Sequence, residues 1–176
     1  NYRPVLGWHW VPFFLRRLPR SLRLLRSKID SQASSFMGHA RMLKTLVPDT
    51  KFKLLYLDHH ELHAASAFFV SPYEEAAVFT VDAMGEWNTT TLSHGTGNQI
   101  RSLAKIQFPH SLGFLYSAIT DYVGFVMGKH EGKVMGLAGY GEPEYLEEFS
   151  KFVKLLPDGG FEIDQSYFDY SFGWHH

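Results

Sequence analysis

The chain has 176 residues, 45% of them hydrophobic and 20% charged, enough apolar material for one domain with its own core and too much for intrinsic disorder. Its formal net charge of −1 gives no global attraction to nucleic acid or acidic membranes, and no apolar run approaches the roughly 20 residues that span a bilayer. Cysteine is absent, which excludes disulfides and thiolate metal sites and fits a reducing, cytoplasmic setting; with ten histidines, any transition-metal site must be built from imidazole and carboxylate ligands.

The first residue is Asn1 rather than Met, and the last five, Phe172-Gly173-Trp174-His175-His176, show no finishing element, so the chain reads as a piece of a longer protein. Residues 1–50 form a helical, Arg-rich segment. Arg16, Arg17, Arg20, Arg23, Arg26 and Lys28 alternate with leucines, and Pro19 divides the stretch. Such spacing predicts a surface helix with a charged outer face in preference to a membrane- or nucleic-acid-binding one. A second helix over about 31–46 would bury Phe36, Ala40, Leu43 and Val47.

From Lys51 onward the texture is α/β, with a mixed sheet and flanking helices. Phe52–Leu57 is an apolar run of strand length. A helix is predicted over His59–Phe69, N-capped by Asp58. Ala76–Val81 is apolar throughout, as in a strand covered on both faces, and ends at Asp82. Thr89–Ser93 and Ile100–Phe108 are predicted strands around a turn at 94–98. Leu112–Tyr122 is predicted helical, with Ser111 as N-cap and Leu115, Ile119 and Tyr122 on one stripe. A loop over 124–132 leads to a short helix at Lys133–Ala138, and Pro143–Leu155 reads as a last helix with proline in its first turn.

Chemistry concentrates at His59-His60-Glu61-Leu62-His63. On a helix His59 and His63, four residues apart, share a face and could hold one metal ion. The zinc-protease pattern His-Glu-x-x-His is one residue too long for His60-Glu61-Leu62-His63, which disfavours a metalloprotease. For an arbitrary pair at this spacing, ordinary polar roles near a helix start outweigh ligation. Asp82 alters that balance, because the end of a buried strand is where α/β sheets place ligand-contacting residues; two imidazoles and a carboxylate would suit Fe(II) or Zn(II). Asp82 as a plain turn cap stays an alternative. The strand–turn–strand around Gly85 and Glu86 could bring backbone N–H groups to a phosphate, although simple hairpins are far commoner. Lys133 at a helix start would add a cation where anions are already favoured, or it could belong to a solvated loop. His110 is a weaker ligand candidate, and no Ser-His-Asp context supports triad hydrolysis.

Four ordered blocks then converge on one family. His59-His60-x-x-His63-Ala64-Ala65-Ser66-Ala67-Phe68, the stretch from Glu75 through Asp82 to Gly85-Glu86-Trp87, Phe108-Pro109-His110-Ser111-Leu112-Gly113, and Lys133-Val134-Met135-Gly136-Leu137-Ala138 with Tyr140-Gly141 resemble the carbamoyltransferases of the nodulation and antibiotic-tailoring type. The resemblance implies that residues 51–176 are the α/β core of the family's N-terminal domain, a partial actin-like ATPase (ASKHA) domain without its first hairpin and second half. It implies an O-carbamoyltransferase. In that family a separate downstream domain makes carbamoyl-adenylate from carbamoyl phosphate and ATP, and the resemblance implies that the domain seen here passes the carbamoyl group to a hydroxyl-bearing small molecule or glycan beside a bound Fe2+. The family's metal ligands match His59, His63 and Asp82, with another aspartate beyond this chain.

Gly85, Glu86 and Lys133 are then the candidates for nucleotide contact, and His60 and His130 for the base that accepts the hydroxyl proton. The chain departs from the family in having Ala83 where glycine is usual. It also lacks the usual Asn in the loop before Lys133, while keeping Glu131 and Lys133. The expected partners are small molecules, with no nucleic acid and no membrane span; a homodimer stays open. Two other readings stay open as well: threonylcarbamoyl transfer to transfer RNA, disfavoured by Gly85-Glu86-Trp87 and Pro109-His110-Ser111-Leu112, and a non-catalytic nucleotide- or metal-binding remnant.

Overall fold

Two tight turns decide the central sheet. The connections Glu86-Trp87 and Gly97-Asn98 are each two residues long, and chain reversals that short can only join antiparallel strands. The structure, a computed structural model, describes residues 38–39 and 41–168. In it β1 (Glu75–Gly85), β2 (Asn88–Thr96) and β3 (Gln99–Gln107) form a three-stranded sheet in the order β1-β2-β3, antiparallel throughout. Gly97 sits at φ +56°, the left-handed conformation its turn requires, and its N–H bonds to Glu74 O at 2.8 Å.

The helix α1 (His59–Phe68) precedes the sheet, and α2 (Leu112–Tyr122), α3 (Glu131–Ala138) and α4 (Leu146–Phe152) follow it. A two-stranded antiparallel sheet, β4 (Val153–Leu155) and β5 (Phe161–Ile163), closes the described chain. The α/β class therefore holds, but the mixed sheet does not: every described strand pairing is antiparallel. The predicted strand at Phe52–Leu57 has no regular structure, since an apolar run without a neighbouring ladder cannot satisfy its backbone as a strand. Nor is β1 covered on both faces. Val78 and Thr80 point inward, while Phe79 and Val81 on the other side are 64% and 45% exposed.

The last predicted helix is shorter than its pattern suggested. Pro157-Asp158-Gly159-Gly160 is a turn, with Gly159 at φ +82° and Leu156 N–H bonded to Gly160 O at 2.9 Å, and it folds Val153–Leu155 back onto Phe161–Ile163.

Residues 38–57 and residues 58–168 belong to separate units. In the first, residues 38–39 and 41–46 are helical, with Leu43 half-buried and Val47 exposed. The Arg-rich stretch, Phe36, Ala40 and the last eight residues lie outside the described residues.

Within the second unit, two apolar clusters hold the elements. Ala64 and Phe68 of α1 pack on Val78 of β1, with Ala76 and Ile100 at the margin. Leu115 of α2 packs on Phe161 and Ile163 of β5, joined by Ile106, Leu112, Ile119, Phe152 and Val153. Tyr122, expected on the buried stripe of α2, is 86% exposed; the buried face runs through Phe114, Leu115, Ser117 and Thr120 instead. No helix among the described residues is long and apolar enough to cross a membrane.

Candidate metal centre

Helix α1 begins where the sequence suggests. The Asp58 carboxylate accepts from the N–H groups of His60 (3.0 Å) and Glu61 (3.2 Å), two donors that have no partner within the helix itself. A third, His59 N–H, donates to Glu86 Oε2 at 3.0 Å. Glu86 is itself in the left-handed region at φ +49°, uncommon for a side-chain-bearing residue, and its tie to the start of α1 helps hold it there. From this start the 3.6-residue period turns His60, Ala64 and Phe68 into the interior and leaves His59 and His63 on the neighbouring, half-open stripe.

Asp82 is delivered by an irregularity in β1. The register runs evenly from Glu75↔Thr96 to Val81↔Thr90 and resumes at Gly85↔Asn88, four steps along β1 against two along β2. The surplus residues form a bulge that takes Asp82 out of the ladder and re-aims its side chain. The bulge is fastened from outside by Ser111, the N-cap of α2. Its hydroxyl donates to Ala83 O at 2.6 Å and accepts from Phe114 N–H at 3.0 Å. Ala83 N–H donates to Asp82 Oδ1 at 2.6 Å, so one carboxylate oxygen is committed to the backbone and Oδ2 is left to face α1.

Three donor atoms converge there. Asp82 Oδ2 lies 2.7 Å from His59 Nε2 and 3.3 Å from His63 Nε2, and the two imidazole nitrogens are 2.9 Å apart. The side chains of His59, His63 and Asp82 are 43%, 51% and 36% exposed, so the cluster is reachable from solvent. Bonds of about 2.1 Å with angles of about 90–109° place neighbouring donors on a metal about 3.0–3.4 Å apart. The observed edges of 2.7, 2.9 and 3.3 Å are close to that spacing, with two of them tighter, as in a hydrogen-bonded cluster. Burial pushes the Asp82 carboxyl upward, but hydrogen bonds with His59, the Ala83 N–H and His63 outweigh it and hold it below the ordinary aspartate range. Asp82 is thus a carboxylate, not a carboxylic acid, at neutral pH. Among the described residues this is the one group of three His, Asp or Glu side chains placed to hold a cation.

The other sequence candidates fall elsewhere. His60 is 1% exposed, with Nδ1 2.7 Å from Thr80 Oγ1 and Nε2 2.9 Å from Asn88 O, so both ring nitrogens are occupied inside the core. A base must reach a substrate proton, and His60 does not meet that condition. His130, half-buried, accepts from Val126 N–H at 3.2 Å and has Nε2 3.1 Å from Lys133 Nζ. Among the described residues, no hydrogen bond joins either side chain to the His59–His63–Asp82 cluster. His110 Nδ1 accepts from Ile163 N–H at 2.9 Å, which makes it a support for β5. Gly85 faces His59: a Cβ there would meet the His59 ring and Cβ at 2.5–2.6 Å. Its missing side chain therefore makes room for the His59 ring. Sequence reasoning missed Thr80 and Asn88, and the only signal for them was polar residues at inward strand positions.

Glu131 also has a role that its sequence context did not show. Its Oε1 accepts from Ser117 Oγ at 2.7 Å and from Gly128 N–H, tying the loop before α3 to α2. The Ser117 hydrogen bond, with the Gly128 N–H, holds the Glu131 carboxyl below its ordinary value. A depressed carboxylate stabilises above its unfolded pKa and loses that contribution as pH falls through the folded one. Hydrogen exchange at the Gly128 amide is therefore expected to stay slow at neutral pH and to accelerate, relative to amides of β2, once the pH drops below the usual glutamate range. Equal behaviour of the two amides would show that Glu131 does not anchor the loop.

A family described as the carbamoyltransferase N-terminus matches residues 24–175 of the chain. An uncharacterized protein of Synechocystis is 43% identical over 172 residues, covering 91% of this chain and 27% of the relative. The nodulation protein NolO of Bradyrhizobium diazoefficiens is 40% identical over 108 residues, 61% of this chain and 20% of the relative. The nodulation protein NolNO of Sinorhizobium fredii is 38% identical over 112 residues, 63% of this chain and 16% of the relative. The chain thus spans between 16% and 27% of the length of these relatives.

Proposed function

Because the chain belongs to the carbamoyltransferase family, within its N-terminal domain, we propose that it forms the metal-holding part of an enzyme that moves a carbamoyl group onto a substrate hydroxyl. The observation that carries this reading is the convergence of His59 Nε2, His63 Nε2 and Asp82 Oδ2 within 3.3 Å of one another. The donor in this reading is carbamoyl-adenylate, formed from carbamoyl phosphate and ATP, and the surrounding domain is of the actin-like type. The acceptor oxygen bonds to the carbamoyl carbon, the bond from that carbon to the phosphate oxygen breaks, and AMP leaves. The hydroxyl proton passes to solvent or to the released phosphate.

When bound, a divalent cation, Fe2+ in our reading, supplies positive charge against the charge that builds on the phosphate leaving group. The chain's own contribution is to keep two imidazoles and one carboxylate oxygen preorganised for it. Asp58 and Glu86 fix the start of α1, Ser111 fixes the bulge, and the Ala83 N–H fixes which carboxylate oxygen faces the helix. Lys133, exposed in the first turn of α3, is the cation we assign to the nucleotide phosphates.

The test is to incubate the full-length protein, including the downstream domain that makes the donor, with carbamoyl phosphate, ATP, Fe2+ and a panel of hydroxyl-bearing small molecules and glycans. The expected result is acceptor-dependent release of AMP together with a carbamoylated acceptor by mass spectrometry. Carbamoyl phosphate that leaves ATP consumption unchanged under all these conditions would sink the reading. Lys133→Ala is expected to slow carbamoyl transfer to the acceptor several-fold while leaving ATP-dependent donor formation and metal content unchanged, and an unchanged transfer rate would remove Lys133 from the nucleotide site.

A further inference from the structure

We infer that His60, which makes no hydrogen bond to the converging donor atoms but packs its ring edge-on against those of His59 and His63 (centroids 5.7 and 6.1 Å), is the positioning residue that sets α1 against the bulge carrying Asp82. The inference rests on the metal reading above. Its basis is a directional chain of hydrogen bonds. A carbonyl oxygen can only accept, so His60 Nε2, 2.9 Å from Asn88 O, carries the ring proton. In a neutral ring Nδ1 is then a lone pair, and it accepts from Thr80 Oγ1 at 2.7 Å. Having given its proton to His60, Thr80 Oγ1 accepts from Thr91 Oγ1 at 2.8 Å. Each member has one role, and the chain runs from β2 through β1 to α1.

The two anchors of His60 stand at the two ends of the bulge. Thr80 lies two residues before Asp82. Asn88 pairs with Gly85, where the register resumes. On α1, His60 follows one proposed ligand directly and precedes the other by three residues. A shift of His60 therefore moves both imidazoles together relative to Asp82.

The layers of the α1–β1 contact point the same way. One end is apolar, with Ala64, Phe68 and Val78. The other end, beside the donor atoms, is the polar layer of His60, Thr80 and Thr91, all buried. An apolar layer could supply comparable stability without any directional demand. What a hydrogen-bonded layer adds is a fixed height and rotation, the property a three-point site requires. Groups hydrogen-bonded to the ligands themselves usually act on metal affinity by about 10- to 100-fold, and a residue that sets the helix carrying two proposed ligands is expected to act on a similar scale.

The experiment compares the full-length protein carrying His60→Leu, His60→Gln and Thr80→Val with the parent by Co(II) titration, Co(II) visible absorption and thermal unfolding. His60→Leu and Thr80→Val are expected to weaken Co(II) binding about 10- to 100-fold and to change the absorption spectrum of the bound fraction. His60→Gln can place an amide N–H near the position of imidazole Nε2, and it is expected to recover most of the affinity.

A purely structural His60 would lower the folded fraction and leave the spectrum of the bound protein unchanged, with no recovery by Gln; that pattern overturns the inference. Parent-like affinity and spectrum in His60→Leu overturn it too. If His60→Leu does not fold, Thr80→Val decides alone: a changed spectrum supports the inference and an unchanged one overturns it. A folded parent that binds no Co(II) removes the metal reading itself, and this inference falls with it.

Discussion

If the proposed site binds iron, His63→Ala is expected to abolish that binding in the full-length protein while leaving its fold intact. His63 Nε2 is one corner of a triangle whose other corners are 2.9 and 3.3 Å away. Removing it leaves one imidazole and one carboxylate oxygen from this chain, too few to outcompete water and buffer for a divalent cation. The fold has little stake in the same side chain. It is half-exposed, and the stripe that α1 buries runs through His60, Ala64 and Phe68 instead. An exposed substitution of this sort usually changes stability by no more than about 0.5 kcal/mol. Metal analysis of purified protein against a thermal melt separates the two effects. The expected pair is one iron per chain in the parent and none in the variant, with nearly equal melting temperatures. Unchanged iron in His63→Ala would refute the ligand set. Glu61→Ala is the control: Glu61 is exposed on the same turn of α1 and lies outside the cluster, so its iron should match the parent.

The parts of the site that were legible in the sequence are those fixed by local chemistry. Asp58 and Ser111 precede helices and cap them, because an oxygen-bearing side chain in that place satisfies N–H groups that nothing else nearby can reach. The spacing of His59 and His63 needs only a helix to bring the rings together. What stayed hidden depends on pairing between distant segments. The bulge at Asp82 exists because β1 and β2 are out of step between Val81 and Gly85, and no residue type announces that offset. His60 read as a candidate base until the period of α1 turned it inward onto Thr80. The strand at Val153–Leu155 was masked by a helix-like run leading into it, although Pro157-Asp158-Gly159-Gly160 carried the turn signal. The reverse error, at Phe52–Leu57, came from reading apolar composition as a strand without asking which strand it would pair with.

Gly113→Ala is expected to damage the same site from the opposite side, without altering any proposed ligand side chain. Gly113 is in the first turn of α2, where alanine is ordinarily the better helix former by about 1 kcal/mol. Propensity alone therefore predicts a gain. Packing reverses the sign. A Cβ at Gly113 would stand 2.6 Å from Ala83 Cα and 2.6 Å from the Asp82 carbonyl carbon, closer than such atoms approach in real structures, and it would meet Ala83 N as well. These neighbours are backbone, so no rotamer change relieves the clash; either α2 lifts or the bulge moves. Both are resisted, α2 by the Leu115 contacts with Phe161 and Ile163, the bulge by the Ser111 hydroxyl on Ala83 O. Overpacking of this kind costs about 1–3 kcal/mol, and the sequence-local gain offsets only part of it. Because the atoms displaced belong to Asp82 and its neighbour, metal affinity should fall along with stability. Urea unfolding and Co(II) titration of Gly113→Ala are expected to show both losses. A variant as stable as the parent, with parent affinity, would mean that α2 does not press on the bulge and that Asp82 is aimed by β1 alone.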